Sequence, residues 1–407
     1  MLTLIFPPEA VSTSQLLGEL VEDLVRQGRR VTIVTTKPHF HPANAGAQRA
    51  ALRSRWGPIL ARSEFAGAEV LHTAMPLKAG GLWRRAAGWT GFHVVSVLAA
   101  VFAVGRVQVV FAPSPPLTIG VAAWLIARLK GARYVYNVQE LYPDTAVALG
   151  ALRPGMLLNA LYAVERFVYR HAFAVAVIGN GMRARIIAKG IASDKVRLIP
   201  NFVDTSTIAE RPKDNPFARE HGFANRFVVM YAGNIGHAQG LEVLLESAAL
   251  TRDREDIVYA IVGEGALRDE LMAQARAQAL ANVTFVAQQP FSRVPDIYGA
   301  SDVNVVPLVG ALVDDAVPSK VYRIMAAGRP VLAIVDARSD VARIVTDARA
   351  GWVVPPADAS ALAAVVRHAA DAGTGDMGQH GRRYAQAHVE RSRVTAAYGA
   401  LLDEAAG

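Results

Sequence analysis

The chain has 407 residues, 52% hydrophobic and 19% charged, with a net charge of +8 and no cysteine. That composition excludes a disordered chain, and the length exceeds one ordinary core, so two α/β domains are expected. The missing cysteines exclude disulfides, thiolate nucleophiles and cysteine metal sites, and they fit a reducing compartment.

Charge is split along the chain. Residues 1–203 hold 23 Lys/Arg against 10 Asp/Glu, and residues 204–407 hold 20 against 25. The opening apolar stretch, Leu2 to Phe6, is too short for a secretory leader and ends in Pro7-Pro8. Strand signals follow at Val31–Thr35, Val107–Phe111, Tyr134–Val138, Ala174–Ile178 and Val196–Ile199, with helical patterns at Gln15–Gln27 and Leu117–Leu129. Between Glu69 and Glu140 there is no acidic residue, whereas Lys78, Arg84, Arg85, Arg106, Arg128, Lys130 and Arg133 all lie there. The interleaved Trp83, Trp89, Phe92 and aliphatic residues suit an anionic lipid surface better than nucleic acid. Within this stretch, Ala86 to Gly105 carries no formal charge. A buried or interfacial helix is expected there rather than a membrane span, because Gly88, Gly91, His93 and Ser96 interrupt it.

The pattern then restarts. Arg211 to Asn225 is polar and turn-rich and reads as an interdomain linker. Strand signals resume at Phe227–Ala232, Val258–Val262, Val283–Val286, Val303–Val306 and Val331–Ile334, with a helical pattern at Leu241–Leu250. Strands alternating with helices predict parallel sheets covered on both faces, in two similar halves. The expected domains are 1–203 and 204–385, with a C-terminal helix, 386–407, returning to the first. Ligands of open α/β sheets bind at the carboxyl ends of the strands.

Three runs carry chemistry. Tyr231-Ala232-Gly233-Asn234-Ile235-Gly236, followed by Gln239 and a helix, reads as an anion cradle or as a plain strand–helix turn. Ile261-Val262-Gly263-Glu264-Gly265 repeats the strand–glycine pattern and is expected along the edge of a nucleoside. Asp314-Asp315-Ala316-Val317-Pro318-Ser319-Lys320 is the strongest. Pro318 suits a first helical position. Lys320 in a first turn opposes the helix dipole, unless an anion is bound there.

These runs resemble the family 4 retaining glycosyltransferases of the two-domain GT-B fold, nearest to the exopolysaccharide and O-antigen subgroup with its colanic-acid and fucosamine transferases. Met325-Ala326-Ala327-Gly328-Arg329-Pro330-Val331 continues the likeness. Domain one adds Phe6-Pro7-Pro8-Glu9, Pro115-Pro116-Leu117, Val138-Gln139-Glu140-Leu141-Tyr142-Pro143-Asp144 and the junction Ile199-Pro200-Asn201-Phe202-Val203-Asp204. The resemblance implies two Rossmann-like domains facing across a cleft. The second would hold a UDP- or GDP-sugar through Gly233, Asn234, Gln239, Gly263, Glu264, Pro318, Ser319, Lys320 and Arg323. The first would hold a lipid-linked or glycan acceptor, with Glu9, Ser12 and Thr13 in an acceptor or phosphate loop. Glu9 has an alternative reading, as the start of the first helix. Glu140, Asp144 and Asp315 are the candidate catalytic carboxylates, with ordering of its own loop an equal alternative for Glu140. No metal or other cofactor is implied, and a metal role for His39 and His41 is not expected.

The chain departs from the family pattern. The paired glutamates of many members match Asp315 and Arg323 here, and the phosphate-binding Arg and Lys match Asn234 and Gln239. Lys320 and backbone N–H groups are then left with more of the diphosphate charge. A peripheral enzyme on the inner face of the cytoplasmic membrane is expected. Two alternatives share the fold: a sugar-nucleotide 2-epimerase and a non-catalytic partner subunit.

Overall fold

The computed structural model describes residues 1–9, 11–39, 49, 52–74, 82–309 and 317–407, with the backbone only over 82–87. The chain forms two compact units, residues 1–200 with 394–407, and residues 201–393. The sequence reading sets the first boundary after 203 and ends the second domain at 385, inside a helix.

Unit 1 opens with α1 (Ser12–Arg26) and β1 (Thr32–Thr36), then β2 (Arg53–Trp56), β3 (Leu60–Phe65), β4 (Ala68–Thr73) and α2 (Leu82–Phe102). Next come β5 (Val109–Pro113), α3 (Ile119–Lys130), β6 (Arg133–Val138), α4 (Asp144–Ala148), α5 (Met156–His171), β7 (Ala174–Val177), α6 (Asn180–Ala188) and β8 (Val196–Leu198). Strands β5-β6-β7-β8 form one parallel sheet and β1-β4-β3-β2 a mixed one. The first residues stitch the two together. Leu2 bridges Val34, and its N–H donates to Phe111 O at 2.9 Å. Strand β7 is Ala-Val-Ala-Val and buried at every residue, as a central parallel strand must be.

Unit 2 contains α7 (Pro216–His221), β9 (Phe227–Ala232), α8 (Glu242–Leu250), β10 (Ile257–Val262), α9 (Arg268–Ala277), β11 (Val283–Val286), α10 (Val294–Gly299) and β12 (Val303–Pro307). It continues with α11 (Lys320–Ala326), β13 (Val331–Ile334), α12 (Asp340–Asp347), β14 (Gly351–Val354), α13 (Ala359–Ala372) and α14 (Met377–His388). Its six strands are all parallel, in the order β11-β10-β9-β12-β13-β14. This is the doubly wound order, with its topological switch between β9 and β12. The C-terminal helix α15 (Arg391–Ala406) begins in unit 2 and ends in unit 1.

The stretch 211–225 is not a linker. It belongs to unit 2 and carries α7, packed through Phe217 and Phe223, both almost fully buried. Its turn residues are helix ends. Asn215 caps α7 by accepting from Ala218 N at 3.0 Å, Pro216 opens the helix, and Gly222 closes it in the left-handed conformation at φ +72°.

Candidate active site

The switch point of unit 2 gathers three loops. β9 ends at Ala232 and the chain turns through Gly233 to a short 3-10 turn, His237–Gln239, before α8. β10 ends at Val262 and turns at Gly263. The two glycine loops are tied backbone to backbone: Gly233 N donates to Val262 O and Ile235 N to Glu264 O, both at 2.9 Å. The loop after β12 joins them through Val309 N to Ala238 O at 3.1 Å. All three lie at the carboxyl ends of their strands, where ligands of such sheets bind.

Lys320 points into this place. Its Nζ sits 4.0 Å from the centroid of the Tyr231 ring, and it packs so close to Gly233 that a Cβ there would lie 2.6 Å from Nζ. Tyr231 is fully buried, and its hydroxyl donates to Asn234 O. The tyrosine thus supports the lysine from below and ties down the glycine loop. Lys320 makes no ion pair with any described carboxylate. Enough protein surrounds its ammonium that burial, with the nearby Arg323 charge second, brings its pKa down from 10.5 to about 7. A cation held this way, on an aromatic face and beside loop backbone, is a candidate partner for a bound anion.

The other expected donor residues fall around it. Helix α11 starts later than the sequence suggests: Pro318 precedes it, Ser319 is its N-cap, and Lys320 is its first residue. At seven residues the helix contributes little macrodipole, so the lysine is the main positive group. Arg323 lies one turn on, with its guanidinium 5.3 Å from the centroid of Phe291. Gln239 turns back onto its own loop, where its Oε1 accepts from Gly236 N at 3.2 Å. Asn234 is exposed at the loop tip. The Glu264 side chain is half-exposed and lies 3.6 Å from Arg268 Nε. Asp315 lies outside the described residues.

In unit 1, Glu9 does not start the first helix, whose N-cap is Val11 with no side-chain cap. It is buried, and its Oε1 accepts from His39 N at 2.5 Å. His39 is held in turn by Thr36 Oγ1, 2.9 Å from Nδ1. His41 lies outside the described residues. Ser12 is exposed in the first turn of α1, and Thr13 beside it is half-buried. Glu140 is half-buried after β6. Its neighbour Gln139 is fixed by two hydrogen bonds, from its own N–H to Ser114 Oγ at 3.0 Å and from Nε2 to Asn137 Oδ1 at 2.7 Å. Asn137 then donates to the Tyr398 hydroxyl on α15 at 3.0 Å. The returning helix therefore helps to shape the Glu140 loop, a link that no local pattern reveals.

Asp144 is committed to an ion cluster. It accepts from Tyr162 OH at 2.7 Å and Lys189 Nζ at 2.6 Å, with Arg185 3.3 Å away. Lys189 also donates to the buried Glu165 at 2.6 Å. Burial alone would raise the Asp144 pKa, but the hydrogen bonds from Lys189 and Tyr162 outweigh it and hold the carboxyl below its ordinary value. Burial raises that of Glu165. These side chains and Arg166 line a cavity of ≈ 290 Å³. Tyr162→Phe removes one hydrogen bond to a charged acceptor and is expected to cost about 1–2 kcal/mol in urea unfolding. The loss should shrink as pH falls through the depressed Asp144 pKa. No change at neutral pH would show the bond to be dispensable.

Residues 13–201 match the model of the glycosyl transferase 4-like domain, and residues 226–371 match that of glycosyl transferases group 1. The putative colanic acid biosynthesis glycosyl transferase WcaI of Escherichia coli is 26% identical over 388 residues, covering 89% of this chain and 90% of the relative. The probable glycosyltransferase WbjE of Pseudomonas aeruginosa is 28% identical, covering 64% of this chain and 66% of the relative. Among solved structures, Anabaena HepE in complex with UDP superposes with a TM-score of 0.71 at 14% identity, covering 99% of each chain. WaaG, a glycosyltransferase involved in lipopolysaccharide biosynthesis, does so at 0.66 and 15%, covering 98% of this chain and 99% of its own.

Proposed function

Since the chain belongs to the family 4-like glycosyltransferases of the GT-B fold, we propose that it moves a hexose from a UDP- or GDP-sugar to a lipid-linked or growing glycan acceptor. The setting is bacterial surface-polysaccharide synthesis at the inner face of the cytoplasmic membrane. The observation that carries this reading is Lys320, an ammonium seated on Tyr231 beside two interlocked glycine loops and without a carboxylate partner among the described residues. A diphosphate is the anion that fits, since loop N–H groups and one lysine can share its charge. The solved neighbour that holds UDP supports the same choice, and the named relatives support the polysaccharide setting.

In this reading unit 2 holds the donor and unit 1 the acceptor. The acceptor oxygen forms a bond to the anomeric carbon as the bond from that carbon to the diphosphate breaks. Transfer proceeds with retention, and the leaving diphosphate accepts the acceptor's proton, so a strong general base is not required. Glu140 then serves to orient the acceptor. Asp144, already bound by Lys189 and Tyr162, positions the loop from below. Lys320 and the loop amides offset the leaving charge, and no metal is needed. The basic stretch from Lys78 to Arg133 favours an anionic membrane surface.

A thermal-shift series with UDP, GDP, ADP and their sugars tests the donor. One uridine or guanosine compound at about 100 times its Kd should stabilise the protein by about 2.7 kcal/mol, and this should persist in EDTA. No shift with any nucleotide would overturn the reading. Incubation with the donor alone separates transfer from epimerisation, since an isomerised sugar without acceptor marks the epimerase.

A further inference from the structure

From residue 88 on, helix α2 in unit 1 carries no charged residue. It buries Phe92, Ser96, Ala99 and Ala100, yet Val94, Leu98 and Phe102 stand out on the other side at 54, 45 and 73% exposure. Residues 88–105 contain no Asp, Glu, Lys or Arg. A surface helix of a soluble protein ordinarily carries charge on its outer stripe.

Helix α3 runs parallel beside it. His93 Nε2 meets Thr118 Oγ1 at 2.8 Å near one end, and Lys130 Nζ donates to the carbonyls of Val101 and Val104 at 2.8 and 2.7 Å near the other. Those two ties set the register, placing Leu125 and Leu129 at the heights of Leu98 and Phe102. Both leucines are also exposed, at 37 and 57%. The outer faces adjoin and form one apolar surface, of the kind that marks an interaction site. Its margin is positive. Arg128 on α3 and Arg106 just after α2 are exposed, and no acidic residue lies between Glu69 and Glu140.

We propose that the α2–α3 face inserts into the headgroup–acyl boundary of an anionic bilayer, with Arg106 and Arg128 at the lipid phosphates. This rests on the membrane setting above and adds that apolar insertion, not charge alone, holds the protein there. The charge pattern selects the occupant: arginines around an uncharged apolar centre match phosphates over acyl chains. No helix of the described residues is long and apolar enough to cross a membrane, so the face lies in the plane of the surface.

The test uses the full chain with vesicles of phosphatidylcholine, with and without phosphatidylglycerol. Binding should require the anionic lipid at low salt, and part of it should survive about 0.5 M salt, where surface charges are screened within a few ångströms. In a Leu98→Trp variant, which puts a tryptophan on the outward stripe, brominated acyl chains should quench the added emission. The double variant L98E/F102E should lower partitioning at least about tenfold, as should the milder F102S/L129S, with melting temperature and nucleotide response kept. Binding fully released by salt, with both variants unaffected, would overturn insertion while leaving the electrostatic membrane setting intact. A lipid-free dimer broken by L98E/F102E would assign the face to a second copy and overturn the proposal. No binding to any vesicle would overturn both the proposal and the membrane setting.

Discussion

Replacing Lys320 by methionine is expected to cut transfer from the nucleotide sugar by about a thousandfold while leaving the protein folded. Methionine keeps most of the side-chain length and a favourable contact with the Tyr231 ring, so the packing survives. What disappears is the charge that would meet the leaving diphosphate. The titration of Lys320 gives the same experiment a second readout. Its folded pKa, about 7, lies below the ordinary 10.5, so between those values the unfolded chain binds more protons. Folding stability contributed by this residue therefore rises with pH across that window and is lowest below about 7, where a charged lysine must be buried. The methionine variant lacks this slope, and its melting temperature should change less between pH 7 and 10. Donor binding moves the other way. Above about pH 7 the free protein must take up a proton to offer an ammonium, so affinity should fall by up to about tenfold per unit. Donor turnover within about threefold of the parent, or a donor affinity that ignores pH, would remove Lys320 from the site.

Unit 2 was largely legible because its central strands are apolar on both faces. Ile257–Val262 is buried at every residue, and such runs between glycine turns have few other readings. The hairpin of unit 1 was not. Strand β2 is exposed at all four residues and β3 alternates with charges, so both read as polar loop until a partner strand is supplied. Strand β14 was missed for a related reason, since it is short and opens on a glycine. The false linker at 211–225 shows the ambiguity of turn residues. Asn215, Pro216 and Gly222 punctuate a short helix with the same letters that mark a flexible joint.

The candidate site divides in the same way. Lys320 stood out because a lysine at a helix start goes against the dipole. Its platform, Tyr231, opens the first glycine run, but nothing local links it to Lys320, because that strand and α11 meet solely through the sheet order. Glu9 with His39, and Asp144 with Lys189 and Glu165, join residues far apart in sequence. Local spacing carries no information about such pairs. Glu9 was expected in an acceptor or phosphate loop and Asp144 as a catalytic carboxylate, and the partners that explain their burial came only from the fold.

Gly263→Ala should damage the site more than any change to the polar residues of its loops. Gly263 sits at φ +145°, a conformation that a residue with a Cβ rarely adopts, and the added carbon would collide with the carbonyl oxygen of Gly233. That oxygen belongs to backbone, not to a side chain that could swing away. Gly233 is also tied to Val262, and Gly263 N donates to Val286 O at 2.9 Å, so neither loop can yield without breaking a ladder bond. The cost should exceed about 3 kcal/mol in urea unfolding, from backbone strain and the lost bonds together. Because Gly233 lies directly against Lys320, any relief of the clash shifts the loop that frames the lysine. Nucleotide binding should then be lost even where folding is rescued by low temperature or osmolyte. Gly91→Ala is the control, since a Cβ there meets nothing within 4 Å and alanine suits a helix interior, so stability should rise by about 0.5–1 kcal/mol. If Gly263→Ala instead bound nucleotide normally, the interlocked loops would be a structural joint alone, and the donor site would have to be sought away from the switch point of unit 2.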